Sequence, residues 1–174
     1  MTPLRVSLFV LFAGLCVNAQ TSGRSKRTNR TDVTNVRKIE FQREKFDPKR
    51  DPRVDLSEAV TKATASDKRI ILDVGGEWCV WCVYMDRFFV ENPGLEKRRE
   101  ANFVWLKVNM GPDNENKTFL SIYPEAKGYP HLYVLDPTGK LLQSQDTSAL
   151  EQGKGYNLIK FTRFLKAWSP KRLN

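Results

Sequence analysis

Cys79 and Cys82 stand three positions apart in the run Glu77-Trp78-Cys79-Val80-Trp81-Cys82, just after an apolar segment at residues 70–74. Two thiols at this spacing support dithiol–disulfide chemistry: one attacks a disulfide, and the other resolves the mixed disulfide that forms. Their setting favours that use. The apolar, β-branched segment ends at Gly75-Gly76 and reads as a buried strand followed by a turn. Cys82, Met85, Phe88 and Phe89 then recur at i, i+3, i+6 and i+7, the spacing of one helix face. A thiol at a helix N-terminus meets unpaired backbone N–H groups and the positive end of the dipole, and both favour the nucleophilic thiolate.

Three other uses of the pair fit less well. A zinc site needs four ligands, and the chain after residue 19 has no further cysteine and one histidine, His131. Covalent haem attachment needs a histidine directly after the second cysteine, where Val83 stands. A purely structural disulfide would close a loop too short to restrain the unfolded chain strongly. Redox use is therefore favoured over the structural one, and neither metal nor cofactor is expected.

From these residues the chain resembles the thioredoxin superfamily over roughly residues 55–168. Asp73, six residues before Cys79, matches the buried acid beneath the active site. Glu77-Trp78-Cys79 matches the lead-in to the motif, and Lys107-Val108-Asn109 matches the following strand, whose lysine lies near that acid. Gly128-Tyr129-Pro130 matches the segment carrying the cis-proline. The chain departs from the pattern at Val80-Trp81 in place of Gly-Pro, at Val83 in place of lysine, and at Gly75 in place of tryptophan. The resemblance implies that Cys79 is the attacking thiol, nearest solvent, and Cys82 the resolving one. It implies that Asp73 serves Cys82 as a base, with Lys107 modulating it and Glu77 at the rim. Trp78, Trp81, Tyr129 and Pro130 are then expected to form an apolar surface for substrate, with Pro130 cis and facing the cysteines. His131 is read as a core or rim residue.

Residues 1–19 read as a secretory signal: Arg5 supplies the positive flank, residues 7–17 the apolar core, and Val17-Asn18-Ala19 a small-residue cleavage site. Removing it also removes Cys16. Export follows, to the periplasm in a bacterium and otherwise outside the cell. Residues 20–50 hold ten Lys or Arg against four Asp or Glu, and so carry most of the net charge of +9. They read as a flexible linker with a weak contact to anionic surfaces through residues 24–50. Nucleic-acid binding is disfavoured, because no aromatic side chain interleaves with those charges before Phe41. A short edge strand at residues 36–41 is the one element expected there.

The folded domain is expected over residues 51–174. A helix at 55–66, capped by Asp55 with Glu58 three residues on, leads into a strand at 69–75 and the cysteine helix at 79–91. A charged turn or short helix at 95–101, a strand at 103–108 and a helix at 116–123 follow. Strands at 131–136 and 140–145 flank the turn Pro137-Thr138-Gly139. Residues 146–155 read as a polar loop, and a last helix at 156–168 is expected to bury Leu158, Ile159, Phe161, Phe164, Leu165 and Trp168. The fold class is α/β and thioredoxin-like: a central mixed β-sheet with helices on both faces. The function expected is exchange of thiols and disulfides with protein substrates and a redox partner, as a monomeric reductase. The rival is a peptide-binding or chaperone-like module of the same fold with idle cysteines.

Overall fold

The computed structural model describes residues 43–171. The expected signal at 1–19, the strand at 36–41 and most of the basic segment lie outside the described residues. Asp51 caps the first helix, α1 (Pro52–Ser66), by accepting from the Arg53 N–H at 2.9 Å. Pro52 occupies the first helical position, where its missing N–H costs nothing. The helix therefore starts before the expected cap at Asp55. That residue lies inside the helix, buried, and accepts two bonds from the Arg50 guanidinium at 2.8 and 2.5 Å. Asp67, at φ 49°, closes the helix in the left-handed conformation.

Strand β1 (Arg69–Gly75) is central. It pairs in parallel with β2 (Phe103–Asn109) and antiparallel with β3 (His131–Leu135), which pairs antiparallel with β4 (Leu141–Asp146). The strand order is β2-β1-β3-β4. Two helices, α2 (Val80–Glu91) and α3 (Pro93–Asn102), fill the β1–β2 crossover and meet at Asn92 and Pro93, as the Pro-Gly signal implies. The short α4 (Lys117–Leu120) covers one turn only, less than expected.

Strand alternation sends β1 to two cores. Ile70, Leu72 and Val74 pack with Leu106, Val108, Tyr133 and Leu135 beneath Ala59 and Ala63 of α1 and Phe119. Ile71 faces the other way, with Phe103, Leu132 and Val134, against Met85 and Phe89 of α2, Leu95 of α3, and the last helix, α5 (Leu158–Trp168). Helices thus cover both faces of a mixed sheet.

Two expectations near the C-terminus are corrected. Residues 146–155 are ordered by short-range bonds: Asp146 accepts from the Ser148 N–H and starts a 3-10 turn, Thr147–Leu150, before the two-residue strands β5 (Glu151–Gln152) and β6 (Gly155–Tyr156) pair. Thr147, Leu150 and Tyr156 are buried there. In α5 the buried face is Phe161, Phe164 and Leu165; Leu158 and Ile159 are exposed, Ile159 at 62 %. Ile159 precedes Phe161 by two positions, about 200° around the helix, so both cannot face the core.

His131 opens β3 in the interior, as the core reading expects. Its Nε2 lies 2.8 Å from Ser144 Oγ, its ring packs on Tyr133, and Nδ1 has no hydrogen-bond partner among the described residues. Burial pushes its proton affinity below the ordinary 6.5, with Asp146 opposing. The depressed folded value means that the neutral ring contributes stability in full above 6.5, and that this is lost as pH falls below it. Urea unfolding between pH 7.5 and 5 should show the loss, with a slope of at most about 1.4 kcal/mol per pH unit for one group. His131→Leu should flatten that part of the profile; an unchanged slope would assign it to other groups.

Candidate active site

Cys79 is the N-cap of α2, and a disulfide joins it to Cys82, with an S–S distance of 2.12 Å. The Cys79 sulfur accepts from the Cys82 N–H at 3.1 Å, a donor it shares with the Cys79 carbonyl, so the first sulfur sits at the N-terminal end of the helix. The Gly76 carbonyl accepts from the Cys79 N–H at 3.0 Å and shapes the turn between strand and helix. Glycine is required in that turn. A Cβ on Gly75 would overlap Cys82 Sγ and crowd the Phe46 ring, which accounts for glycine where the resemblance expects tryptophan. A Cβ on Gly76 would overlap the Trp78 indole, whose Nε1 donates to the Met110 carbonyl at 2.7 Å.

Asp73 and Lys107 are direct cross-strand partners in β1 and β2, and both are buried. Lys107 Nζ lies 3.2 Å from Asp73 Oδ2 and 2.8 Å from Asp86 Oδ1. Trp105 Nε1 also donates to Asp73 Oδ2 at 3.1 Å, while Oδ1 of that residue has no hydrogen-bond partner among the described residues. Burial alone would lower the Lys107 proton affinity; the two carboxylates outweigh it and hold the ammonium above its ordinary range. Burial holds Asp86 above the usual carboxylate value, with Lys107 and Arg43 opposing.

Three residues of this site escape the sequence reading. Asp86 lies four positions after Cys82, on the same face of α2, a helical spacing that the apolar pattern around it conceals. Arg43 and Phe46 lie in a stretch whose composition reads as linker. Arg43 bridges Glu77 at 2.5 Å and Asp86 at 3.2 Å, and the Phe46 N–H donates to Glu77 Oε1 at 3.1 Å. Phe46 is 2 % exposed and packs with Cys79 and Cys82, flanked by Trp81 and Tyr129. Lys107 Nζ sits 4.2 Å from the centre of the same ring. The expected domain start at residue 51 is therefore corrected: residues 43–50 pack onto the domain. Burying one phenylalanine contributes about 1.5–3 kcal/mol towards holding the segment, alongside its ion pairs and hydrogen bonds.

The cysteines differ from expectation in exposure. Cys79 is 3 % exposed and Cys82 1 %, so the contrast of an open first thiol with a deep second one is absent in the disulfide form. Phe46 covers both. The apolar surface is also uneven: Trp78 is 56 % exposed, Trp81 and Tyr129 are half-buried, and Pro130 is buried. Trp78 meets Tyr129 edge-on at 5.7 Å. The Tyr129–Pro130 bond is cis, and the Pro130 carbonyl accepts from Thr147 Oγ1 at 2.6 Å. Tyr156 OH donates to the Trp81 carbonyl at 3.3 Å, so the segment after β4 braces both sides of the site. Among the described residues, no group of three or more His, Cys, Asp or Glu is placed to hold a metal ion. No described helix is long and apolar enough to cross a membrane.

A disulfide at the start of α2, beside a strand-borne acid–lysine pair, is the arrangement that the sequence resemblance implies. The family model described as thioredoxin-like matches residues 51–137, and the chain belongs to that family. A thiol:disulfide interchange protein DsbD of Colwellia psychrerythraea is 26 % identical over 94 residues, covering 53 % of this chain and 15 % of the relative. This chain thus spans a small part of the curated relative that it matches. Among solved structures, a disulphide isomerase from Xylella fastidiosa Temecula1 superposes with a TM-score of 0.59 at 18 % identity, over 70 % of this chain and 94 % of that one. The reduced DsbD C-terminal domain of Neisseria meningitidis gives 0.51 at 19 % identity, over 68 % and 96 %. At these identities the structural likeness establishes the thioredoxin-like fold.

Proposed function

We propose that this protein exchanges thiols and disulfides with protein substrates through Cys79 and Cys82, working outside the cytoplasm as a reductase. The observation that carries the proposal is the Cys79–Cys82 disulfide with its first sulfur on the amides of the α2 N-terminus. In the reduced protein, those amides and the helix dipole favour a thiolate at Cys79, which attacks a substrate disulfide. The S–S bond of the substrate breaks, one substrate sulfur leaves with the electron pair, and Cys79 is held in a mixed disulfide. Cys82 then gives up its proton and attacks Cys79 Sγ, which releases the second substrate thiolate and closes the Cys79–Cys82 bond. Two electrons pass from the protein to the substrate.

Asp73 is the proposed base for Cys82. Asp86, one turn beyond Cys82 on α2 and ion-paired to the same lysine, shares the negative charge around it. The buried acid at Asp73 resembles that of the reducing branch of the thioredoxin family, which supports the reducing direction. The match to a protein named for thiol:disulfide interchange supports the same chemistry. Trp78, Trp81 and Tyr129 serve as the contact surface for substrate, with the buried Pro130 shaping the backbone beside them, and Glu77 holds the N-terminal segment by way of Arg43. Export, with residues 1–19 as its signal, belongs to this proposal and rests on their composition; a mature N-terminus at Gln20 is the expected finding.

The test is reduction of a model protein disulfide by dithiothreitol with and without the protein. Clear acceleration is expected, together with a reduction potential nearer the about −270 mV of thioredoxin than the about −120 mV of a strong oxidant. No acceleration would overturn the proposal. Asp73→Asn should slow release of the mixed disulfide by about 100-fold, the low end for a lost proton acceptor, with little effect on its formation. Stopped-flow release kinetics would check this, and equal slowing of both steps would reduce Asp73 to a packing role.

A further inference from the structure

The described chain begins with a segment doing two things at once. Phe46 closes over Cys79 and Cys82, and Arg43, three residues earlier, supplies a cation to Asp86. The two ends of the segment are held differently. At residues 47–50 it is pinned to the rest of the domain: Asn114 Nδ2 donates to the Pro48 carbonyl at 2.9 Å, Arg50 grips Asp55 with two bonds, and the turn closes through an Arg50 N–H to Asp47 carbonyl bond of 3.3 Å. At residues 43–46 it is held by the Phe46 ring, by Glu77 and by Asp86. Among the described residues, the side-chain ties of Arg43 and the bond of the Phe46 amide thus end on Glu77 or on Asp86.

We infer that residues 43–46 form a hinged cover over the disulfide, pivoting on the turn at 47–50, and that its opening decides which thiols reach Cys79. The inference rests on the proposed exchange at Cys79. For a dithiol reductant the step is as follows. Its thiolate attacks Cys79 Sγ, the Cys79–Cys82 bond breaks, and Cys82 departs with the electron pair and takes a proton. The second thiol of the reductant then closes its own disulfide and frees Cys79. Attack requires an approach to Cys79, a residue 3 % exposed that shares a buried cluster with Phe46 and Cys82. Lifting the cover clears that approach and also withdraws Arg43 from Asp86. Asp86 then keeps Lys107 as its cation and shares it with Asp73. Access and local charge therefore change together, a coupling that a passive linker would not give.

The test follows reduction of the Cys79–Cys82 disulfide by dithiothreitol, quenched by alkylation and read by mass, in wild type, Phe46→Ala and Arg43→Gln. Phe46→Ala is expected to react at least about tenfold faster, and Arg43→Gln severalfold faster with its unfolding midpoint close to wild type. Rates equal to wild type in both variants would overturn the inference. Amide exchange on the wild-type protein keeps the question open to decision if Phe46→Ala fails to fold. The Phe46 amide should exchange far faster than those of Ile71 and Leu132 in the central strands, and equal protection would rule out a cover that opens separately. If the variants speed reduction of the disulfide while no form accelerates reduction of a protein substrate, the cover stands and the proposed function falls.

Discussion

Cys79→Ser is expected to bring reduction of a protein disulfide down to the background of the reductant alone, whereas Cys82→Ser is expected to accumulate a stoichiometric mixed disulfide through Cys79. The asymmetry follows from position, because burial does not distinguish the two sulfurs: both are covered in the disulfide form. Cys79 is the cap of α2 and accepts the Cys82 N–H, so its thiolate lies at the positive end of the helix dipole. Cys82 lies within the helix, where its neighbours are the Phe46 ring and the backbone of Gly75. Mass spectrometry after acid quench reads the outcome. Trapping through Cys82 in the Cys79→Ser protein, with none in Cys82→Ser, would reverse the assigned roles.

The second large effect concerns stability. Lys107→Met should destabilise the domain by about 3–5 kcal/mol, the cost of leaving buried carboxylates without their shared cation. Methionine preserves most of the side-chain volume, so the loss measures charge more than packing. The pH dependence supplies an internal check. Burial already holds Asp86 above the ordinary carboxylate value with Lys107 in place, and removing the lysine raises it further. A folded-state value above the unfolded one means stability is greatest below the unfolded value and is lost as pH rises through the folded one. The variant should therefore recover stability on mild acidification, opposite in sign to the His131 contribution. Asp73→Asn added to Lys107→Met should restore part of the loss, because the two side chains are in contact and not additive. A deficit below about 1 kcal/mol, constant with pH, would mean that solvent already screens the cluster.

Much of this molecule was legible from local pattern. The strand at 69–75, the glycine turn and the cysteine helix follow from periodicity and turn chemistry. The partition of β2, with Val104, Leu106 and Val108 on one face and Phe103, Trp105 and Lys107 on the other, follows from the two-residue period of a strand. The family resemblance implied that Asp73 and Lys107 lie near each other, and they are cross-strand partners in β1 and β2. The short-range features that slipped were boundaries. Asp51 displaced Asp55 as cap because Pro52 fits the first helical position, and residues 146–155 gained structure from an aspartate cap and a two-residue hairpin.

What the sequence determined by itself was the chemistry available: two thiols three apart at a helix start, an acid in an apolar strand, and a lysine in the strand after the motif. Only the tertiary structure decided what covers those groups and what charge they share. Phe46 and Arg43 sit in a charged, aromatic-poor stretch that has no periodicity, so nothing local marks them as part of the site. Their roles arise from contacts across 31 to 43 positions of sequence, Phe46 to Glu77 and Arg43 to Asp86. Asp86 is similar: its spacing from Cys82 was visible, but its charge matters because β2 brings Lys107 against it. Periodicity reports which face a residue presents, whereas a long-range ion pair or an aromatic cover depends on where separate elements meet once the sheet has formed.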